Sequence, residues 1–319
     1  MTEPSDFSFP RLSNWGKWGA NDELGAANYI TPEVLLNAMK LVRRGKVITC
    51  AIPLDRHGPV HPARGLPEHW MRFGAGDYAL GAPGGGKIPE GGVKFSDDGI
   101  HLSTQSTTQW DGLAHAWYGN QMYNGFSETY MRNPNFGGLR RLDIGKFATQ
   151  FVTRGVLLDV LRQKGAEALK GSAVITAADL EATAAAQKVE IKSGDALLIR
   201  TGNVPFWYSL KDKSAYWKDG HPGLGIDTAP WIHEHEIAAV AADNVSLEVE
   251  PSRIQHPDAF YPLHAVLLRD LGVMIGELFD LEKLSEDCAA DGVYEFLFIA
   301  QPLNIKGGIG SPINPLAIK

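Results

Sequence analysis

Residues 105–125 read QSTTQWDGLAHAWYGNQMYNG, a run holding Asp111, His115, three glutamines, two asparagines and four aromatics. A carboxylate and an imidazole four residues apart can share a metal ion, a proton or a water. A surface ion pair or a capped turn uses the same two residue types. Trp110, Trp117, Tyr118 and Tyr123 suit an apolar-walled substrate pocket, with Asn124 as a further substrate contact, although aromatic residues more often belong to a core. His264 and Glu277 form a second candidate pair. In VMIGE, the alternation of a strand puts Val273, Ile275 and Glu277 on one face, so a carboxylate lines up with two core residues. Buried there, it needs a cation, a hydrogen-bond partner or a proton; past the strand end it is simply solvated.

The elements that must carry these residues are legible in outline. The run at 105–125 has no 3.6-residue period and is broken by Gly112, Gly119 and Gly125, which predicts a loop that presents side chains. ANYITPEVLLNAMKLVRRG predicts a helix with Thr31 as N-cap, Pro32 at the first position, Glu33 at the positive end of the dipole and Gly45 as the stop. VITCAIPL reads as a strand, and the Gly/Pro-rich stretch from Pro62 to Gly92 as a long loop of the kind that forms lids or contact arms. AADLEATAAAQKVE reads as a helix and SGDALLIRTG as a turn and buried strand; TAPWIHEHEIAAVAADN runs from helix to strand. PLHAVLLRDLG predicts a helix ending at Gly272, with strands at VMIGE and VYEFLFIAQPLNI. The mixture points to an α/β class in one domain, 1–319, with residues 1–45 as an N-terminal arm and helix.

Composition narrows the partners. The chain is 44% hydrophobic and 21% charged with a formal net charge of -7, which disfavours nucleic acid and anionic membrane and leaves a small-molecule substrate as the expected ligand. Cys50 and Cys288 have no paired-cysteine metal spacing and read as reduced thiols. No apolar run approaches the ~20 residues of a membrane span, and the N-terminus lacks a secretory pattern, so a cytoplasmic address is expected. His233 and His235 in WIHEHE read as a solvated helix face, His57, His61 and His69 as parts of a covering loop, and Arg154 and Arg200 as carboxylate partners near strands.

The segment QSTTQWDGLAH resembles the signature H-x-G-T-H-x-D-x-P-x-H of the cyclase family of metal-dependent hydrolases, which includes kynurenine formamidases, isatin hydrolases and a trans-dienelactone hydrolase. Thr108, Asp111 and His115 match; Gln105 and Gln109 stand at the first two histidines, Thr107 at the glycine and Leu113 at the proline. The resemblance extends through NDELGAANYITPE, RGVLLDV, GDALLIRTG, DNVSLE, PLHAVLLRDLGVMIGELFDL and GGIGSPINPLAI, from one end of the chain to the other.

That resemblance implies the swivelling β/β/α fold of the family, a homodimer or homotetramer, and a divalent metal held by Asp111, His264 and Glu277 with help from Gln109 and Gln105. It implies that His115 handles protons, and that the reaction is hydrolysis of an amide, imide or lactone in a cyclic or aryl substrate. A carboxamide oxygen is a harder ligand than imidazole, so Mn2+ is favoured over Zn2+. Two other classes stay open. One is a metal-independent lyase or dehydratase in which Gln105 and Gln109 bind substrate; the other is a small-molecule binding protein on a decayed scaffold.

Overall fold

The computed structural model describes residues 12–81, 91–131, 137–252 and 260–319. Residues 1–11 of the expected arm and 82–90 of the expected Gly/Pro-rich loop lie outside them. Along the chain the strands are β1 Val47–Thr49, β2 Glu68–Phe73, β3 Asp97–His101, β4 Gln109–Asp111, β5 Val152–Leu158, β6 Val174–Ile175 and β7 Ala196–Ile199. They continue as β8 Gly223–Leu224, β9 Ala239–Ala242, β10 Met274–Glu277, β11 Glu295–Ile299, β12 Gly310–Pro312 and β13 Leu316–Ile318. Nine of them make one sheet in the order β1-β13-β11-β5-β7-β9-β10-β4-β12. The four middle strands β5, β7, β9 and β10 run parallel. Sequences such as ALLI and AVAA serve there because both faces are covered and every position is buried. The flanking strands are antiparallel. This is the mixed α/β architecture, with a curled sheet, that the resemblance implies.

The helix expected after Thr31 spans Pro32–Met39, with the Thr31 hydroxyl accepting from the Val34 N–H at 3.3 Å, and it packs on β5 and β11. It ends at Met39, short of Gly45, and further on Arg44 and Lys46 pair with Asp287. The helix Ala177–Gln187 begins with a reciprocal cap between Thr176 and Asp179. PLHAVLLRDLG winds as an α-helical turn, Pro262–His264, that continues into a π-helical stretch, Ala265–Leu271. Gly272 ends it at φ 66°, and a Cβ there would lie 2.6 Å from the Tyr123 ring. Glycine meets both demands. Among the described residues no helix is long and apolar enough to cross a membrane.

Two expectations are corrected. The stretch after Pro62 is not one loop: β2 and β3 pair as an antiparallel hairpin that is exposed along most of its length. Within the 105–125 run, Gln109–Asp111 is a fully buried strand, paired with β10 on one side and β12 on the other. Three residues are too few to display a two-residue period in sequence. At the sheet edge, β12 sets Gly310 opposite Asp111 and Pro312 opposite Gln109.

Gly276 lies opposite Trp110 in the β10–β4 register. An added Cβ would fall 2.6 Å from the Ala241 Cβ and 2.7 Å from both the Phe279 and the Trp110 rings. Gly276→Ala is therefore expected to destabilise the protein by ~1–3 kcal/mol through overpacking, seen as a lower thermal midpoint by circular dichroism. An unchanged midpoint would mean that the two strands can spread without cost.

Candidate metal centre

The register of β4 against β10 builds the site. Gln109 pairs with Glu277 and Asp111 with Ile275, so Gln109, Asp111 and Glu277 project from one face of the sheet. Trp110, between them, points the other way into the core. Thr108 fixes the strand ends: its hydroxyl accepts from the Ile52 N–H at 2.9 Å and donates to the Leu278 carbonyl at 2.5 Å. Gln109 Nε2 donates to Glu277 Oε2 at 2.5 Å.

His264 comes from the helix that precedes β10. Its Nε2 lies 3.3 Å from Glu277 Oε1 and its Nδ1 2.5 Å from Glu248 Oε1. The same Glu248 carboxylate accepts the backbone N–H groups of Leu263 and His264, at 3.3 and 3.0 Å, and so caps the helix as it orients the ring. Burial opposes a charge on His264, but the hydrogen bonds and charges of Glu248 and Glu277 outweigh it and raise its pKa to about 10. Sequence reasoning assigned no role to Glu248; its place in DNVSLE, within the family resemblance, was the available signal. Behind it, burial and the Glu248 charge push Glu250 up to about 7, and the Tyr261 hydroxyl donates to its carboxylate.

Ligand atoms of Asp111, His264 and Glu277 all lie within 4.8 Å of one another. Both carboxylate oxygens of Asp111 and Oε1 of Gln109 are buried without a hydrogen-bond donor among the described residues. Burial pushes the Asp111 carboxyl above its ordinary range, against the lowering charge of His115. Buried Asp111 oxygens with no donor, beside a carboxylate and an imidazole, fit a divalent cation, because a bound ion satisfies such acceptors, and the unpartnered Gln109 Oε1 is a further oxygen next to Glu277. The Gln105 amide sits beside this set. Its Oε1 accepts from the Thr104 hydroxyl at 2.9 Å, and its Nε2 fills the space over Gly310 that a Cβ would occupy. The Gln105 backbone carbonyl accepts from Arg64 Nη1 at 2.5 Å.

A cavity of about 480 Å³ opens onto His264 and Glu277 of this set, and its walls include His61, Arg64, His115, Trp117, Phe260 and Tyr261. His115 stands at its wall with Nε2 3.8 Å from Asp111 Oδ2, its side chain 24% exposed. Trp117 shares the wall and is anchored by an indole N–H bond to Glu128 Oε2 at 2.8 Å. Of the histidines read as covering the site, His61 lines the cavity, whereas His69 pairs with Asp98 on the exposed hairpin. The His57 carbonyl accepts the Trp207 indole N–H.

Three residues expected to hold substrate do other work. Trp110 is fully buried against Phe151, Phe279 and Phe298, with its indole N–H on the Ala300 carbonyl at 2.6 Å. Strand alternation, invisible for so short a strand, sends it away from Asp111. Tyr123 is buried with its hydroxyl on Asp22 Oδ2, and Asn124 ties the N-terminal arm through Gly16, Gly19 and Asp22. The solvated face expected for His233 and His235 is half-buried: His235 packs on Trp231 with ring centroids 4.2 Å apart. Arg154 pairs with Asp195 and Glu295, and Arg200 with Asp159 and Glu282.

Comparison with known proteins agrees with this architecture. A crystal structure of a novel cyclase superposes with a TM-score of 0.90 at 47% sequence identity, covering 98% of this chain and 99% of that one. Isatin hydrolase A from Labrenzia aggregata, bound to benzyl benzoate, gives a TM-score of 0.60 at 19% identity over 88% of this chain and 94% of its own. Isatin hydrolase A from Ralstonia solanacearum gives 0.59 at 18% identity over 90% and 97%. At those identities the two hydrolases show the shared fold. No curated protein matches the chain. The Cyclase family model matches residues 48–249, and the chain belongs to that family.

Proposed function

We propose that this protein is a metal-dependent hydrolase of an amide, imide or lactone bond in a small cyclic or aryl substrate. The supporting observation is the buried, donor-less carboxylate of Asp111 that converges with Glu277 and His264, which an aromatic-walled cavity reaches, with Gln109 bonded to Glu277 beside them. Asp111, Glu277, His264 and Gln109 would hold the ion, with Gln105 beside them. A bound divalent ion supplies a polarised carbonyl and a water made acidic near neutral pH. Everything else falls to the chain. Trp117, Phe260 and Tyr261 pack the apolar part of the substrate; Glu248 holds the proton on His264 Nδ1 and so leaves Nε2 facing the site. His115, beside Asp111 on the cavity wall, takes a proton from the attacking water and returns one to the leaving nitrogen or oxygen. The harder oxygen-rich donor set favours Mn2+ over Zn2+.

A homodimer or homotetramer belongs to the same reading, supported by exposed Trp70, Met71, Phe95 and Ile100 on and beside the β2–β3 hairpin. Light scattering on the purified protein tests it. The buried free thiols of Cys50 and Cys288 suit a cytoplasmic address.

His115→Asn is expected to lower kcat by ~10²- to 10⁴-fold, the usual contribution of a positioned acid or base, with metal content close to wild type. Asp111→Asn is expected to lose metal and activity together. Screening aryl formamides, cyclic imides and lactones with Mn2+, Zn2+ or a chelator supplies the assay. Turnover that survives chelation would turn the site to the metal-independent reading, and turnover unchanged in both variants would remove the loop from the active site.

Metal binding is expected to strengthen with pH. His264 gives up a proton to become a ligand, and with its pKa at about 10 the apparent affinity rises about tenfold per pH unit below that value. Mn2+ titrations in buffers of different ionisation enthalpy should therefore show about one proton released per ion from this histidine. No release would place His264 outside the coordination set. The double change Gln105→His and Gln109→His should raise zinc affinity, because imidazole binds zinc better than a carboxamide does. Zinc titration decides it, and an unchanged affinity would show that the two side chains face elsewhere.

A further inference from the structure

Among the described residues that line the cavity, Arg64 carries the permanent positive charge. It is presented by a single tight turn: Pro62 sits at the first position, His61 Nδ1 accepts the Ala63 N–H at 3.2 Å, and the His61 carbonyl accepts the Arg64 N–H at 2.9 Å. From that turn Nη1 donates to the Gln105 carbonyl at 2.5 Å and stands 3.6 Å from Glu277 Oε2. The second distance is too long for a hydrogen bond, and Glu277 Oε2 is already engaged by Gln109 Nε2. Arg64 is therefore held in place by a backbone carbonyl, and its contact with Glu277 is an ion pair at 3.6 Å without a hydrogen bond. Its Nε and Nη2 make no further hydrogen bond among the described residues, and the side chain, 26% exposed, is part of the cavity lining. A guanidinium edge of that kind matches a carboxylate with two parallel hydrogen bonds.

Hydrolysis of an aryl amide or lactone adds the oxygen of water to the acyl carbon and breaks the C–N or C–O bond. The leaving nitrogen or oxygen takes a proton, and the acyl part remains as a carboxylate. We propose that Arg64 grips this carboxylate, and before it the carbonyl oxygen from which it develops, so that the cavity selects substrates yielding an aromatic acid packed by Trp117, Phe260 and Tyr261. This assignment rests on the hydrolase reading above, and it adds to that reading a residue that sets specificity.

The test is equilibrium binding of benzoate and of acetophenone, its neutral isostere, by titration calorimetry on wild type and Arg64→Met. Saturating Mn2+ is present throughout and the metal content of both proteins is measured. Wild type should prefer benzoate. Arg64→Met should lose about 10- to 100-fold in benzoate affinity, the range of a charge-assisted hydrogen bond, with acetophenone binding unchanged. Arg64→Lys should recover part of the loss, since it restores charge without the fork. A wild type without preference for benzoate, or an Arg64→Met protein that binds it equally well, overturns the inference. So does loss of both ligands or of the metal, which would assign Arg64 to the shape of the site. Neither probe is turned over, so a failed hydrolase assay leaves this result standing. Conversely, hydrolysis combined with Arg64-independent benzoate binding sinks this inference alone.

Discussion

The rest of the site depends on one electrostatic constraint: Asp111 is a carboxylate sealed inside a sheet with no donor on either oxygen. An isolated charge in that position is among the most costly things a fold can contain. The surrounding elements are arranged as if to receive a positive charge. β10 brings Glu277 into the same layer, the helix before it brings His264, and Glu248 closes over the far side of the imidazole. Hydrogen bonds to Glu248 and Glu277 raise the His264 pKa, whereas Asp111 is left to burial and to the charge of His115. The site is thus a compromise between carboxylates that repel one another, and that compromise favours a ligand of positive charge.

The precision of the arrangement comes from backbone restraints near each functional side chain. Leu247, Tyr261 and Leu278 all have left-handed conformations, at φ 52°, 53° and 58°, and each lies within three residues of Glu248, His264 or Glu277. Non-glycine residues adopt that region at a cost, and such costs collect where function demands a particular direction of the chain. Thr108 adds a clamp from the other strand through its bond to the Leu278 carbonyl. Burial around Trp110 then locks the register, since a slip by one residue would exchange Trp110 with Asp111 between core and cavity.

Much of the α/β class was legible in the sequence because its signals are local. Thr31 with Pro32 marked a helix start, Gly272 a helix end, and VMIGE a strand with Glu277 on the same face as Ile275. The grouping of Asp111, His264 and Glu277 was reached through family resemblance, since nothing in their spacing announces a contact across more than a hundred residues. What stayed hidden depended on pairing partners. β4 is three residues long, so its direction, and with it the assignment of Trp110 to the core, emerges only beside β10 and β12. Tyr123 and Asn124 are polar-tipped residues whose partners belong to the N-terminal arm. Glu248 and Arg64 acquire meaning from the His264 ring and the Gln105 carbonyl, neither of which a linear reading brings near.

The edge strand β12 has a consequence for how copies of the protein can meet. It is the last strand on the side of the sheet that carries the candidate metal centre, and it is short, with proline at the position opposite Gln109. A proline offers no N–H to an incoming strand, and three residues give little length to dock on. Extension of the sheet from molecule to molecule is thereby discouraged at the border where a misplaced neighbour would distort β4. Self-association is left to surfaces built of side chains, and the layer that carries the candidate metal centre is shielded from the templated growth by which exposed strands seed aggregates.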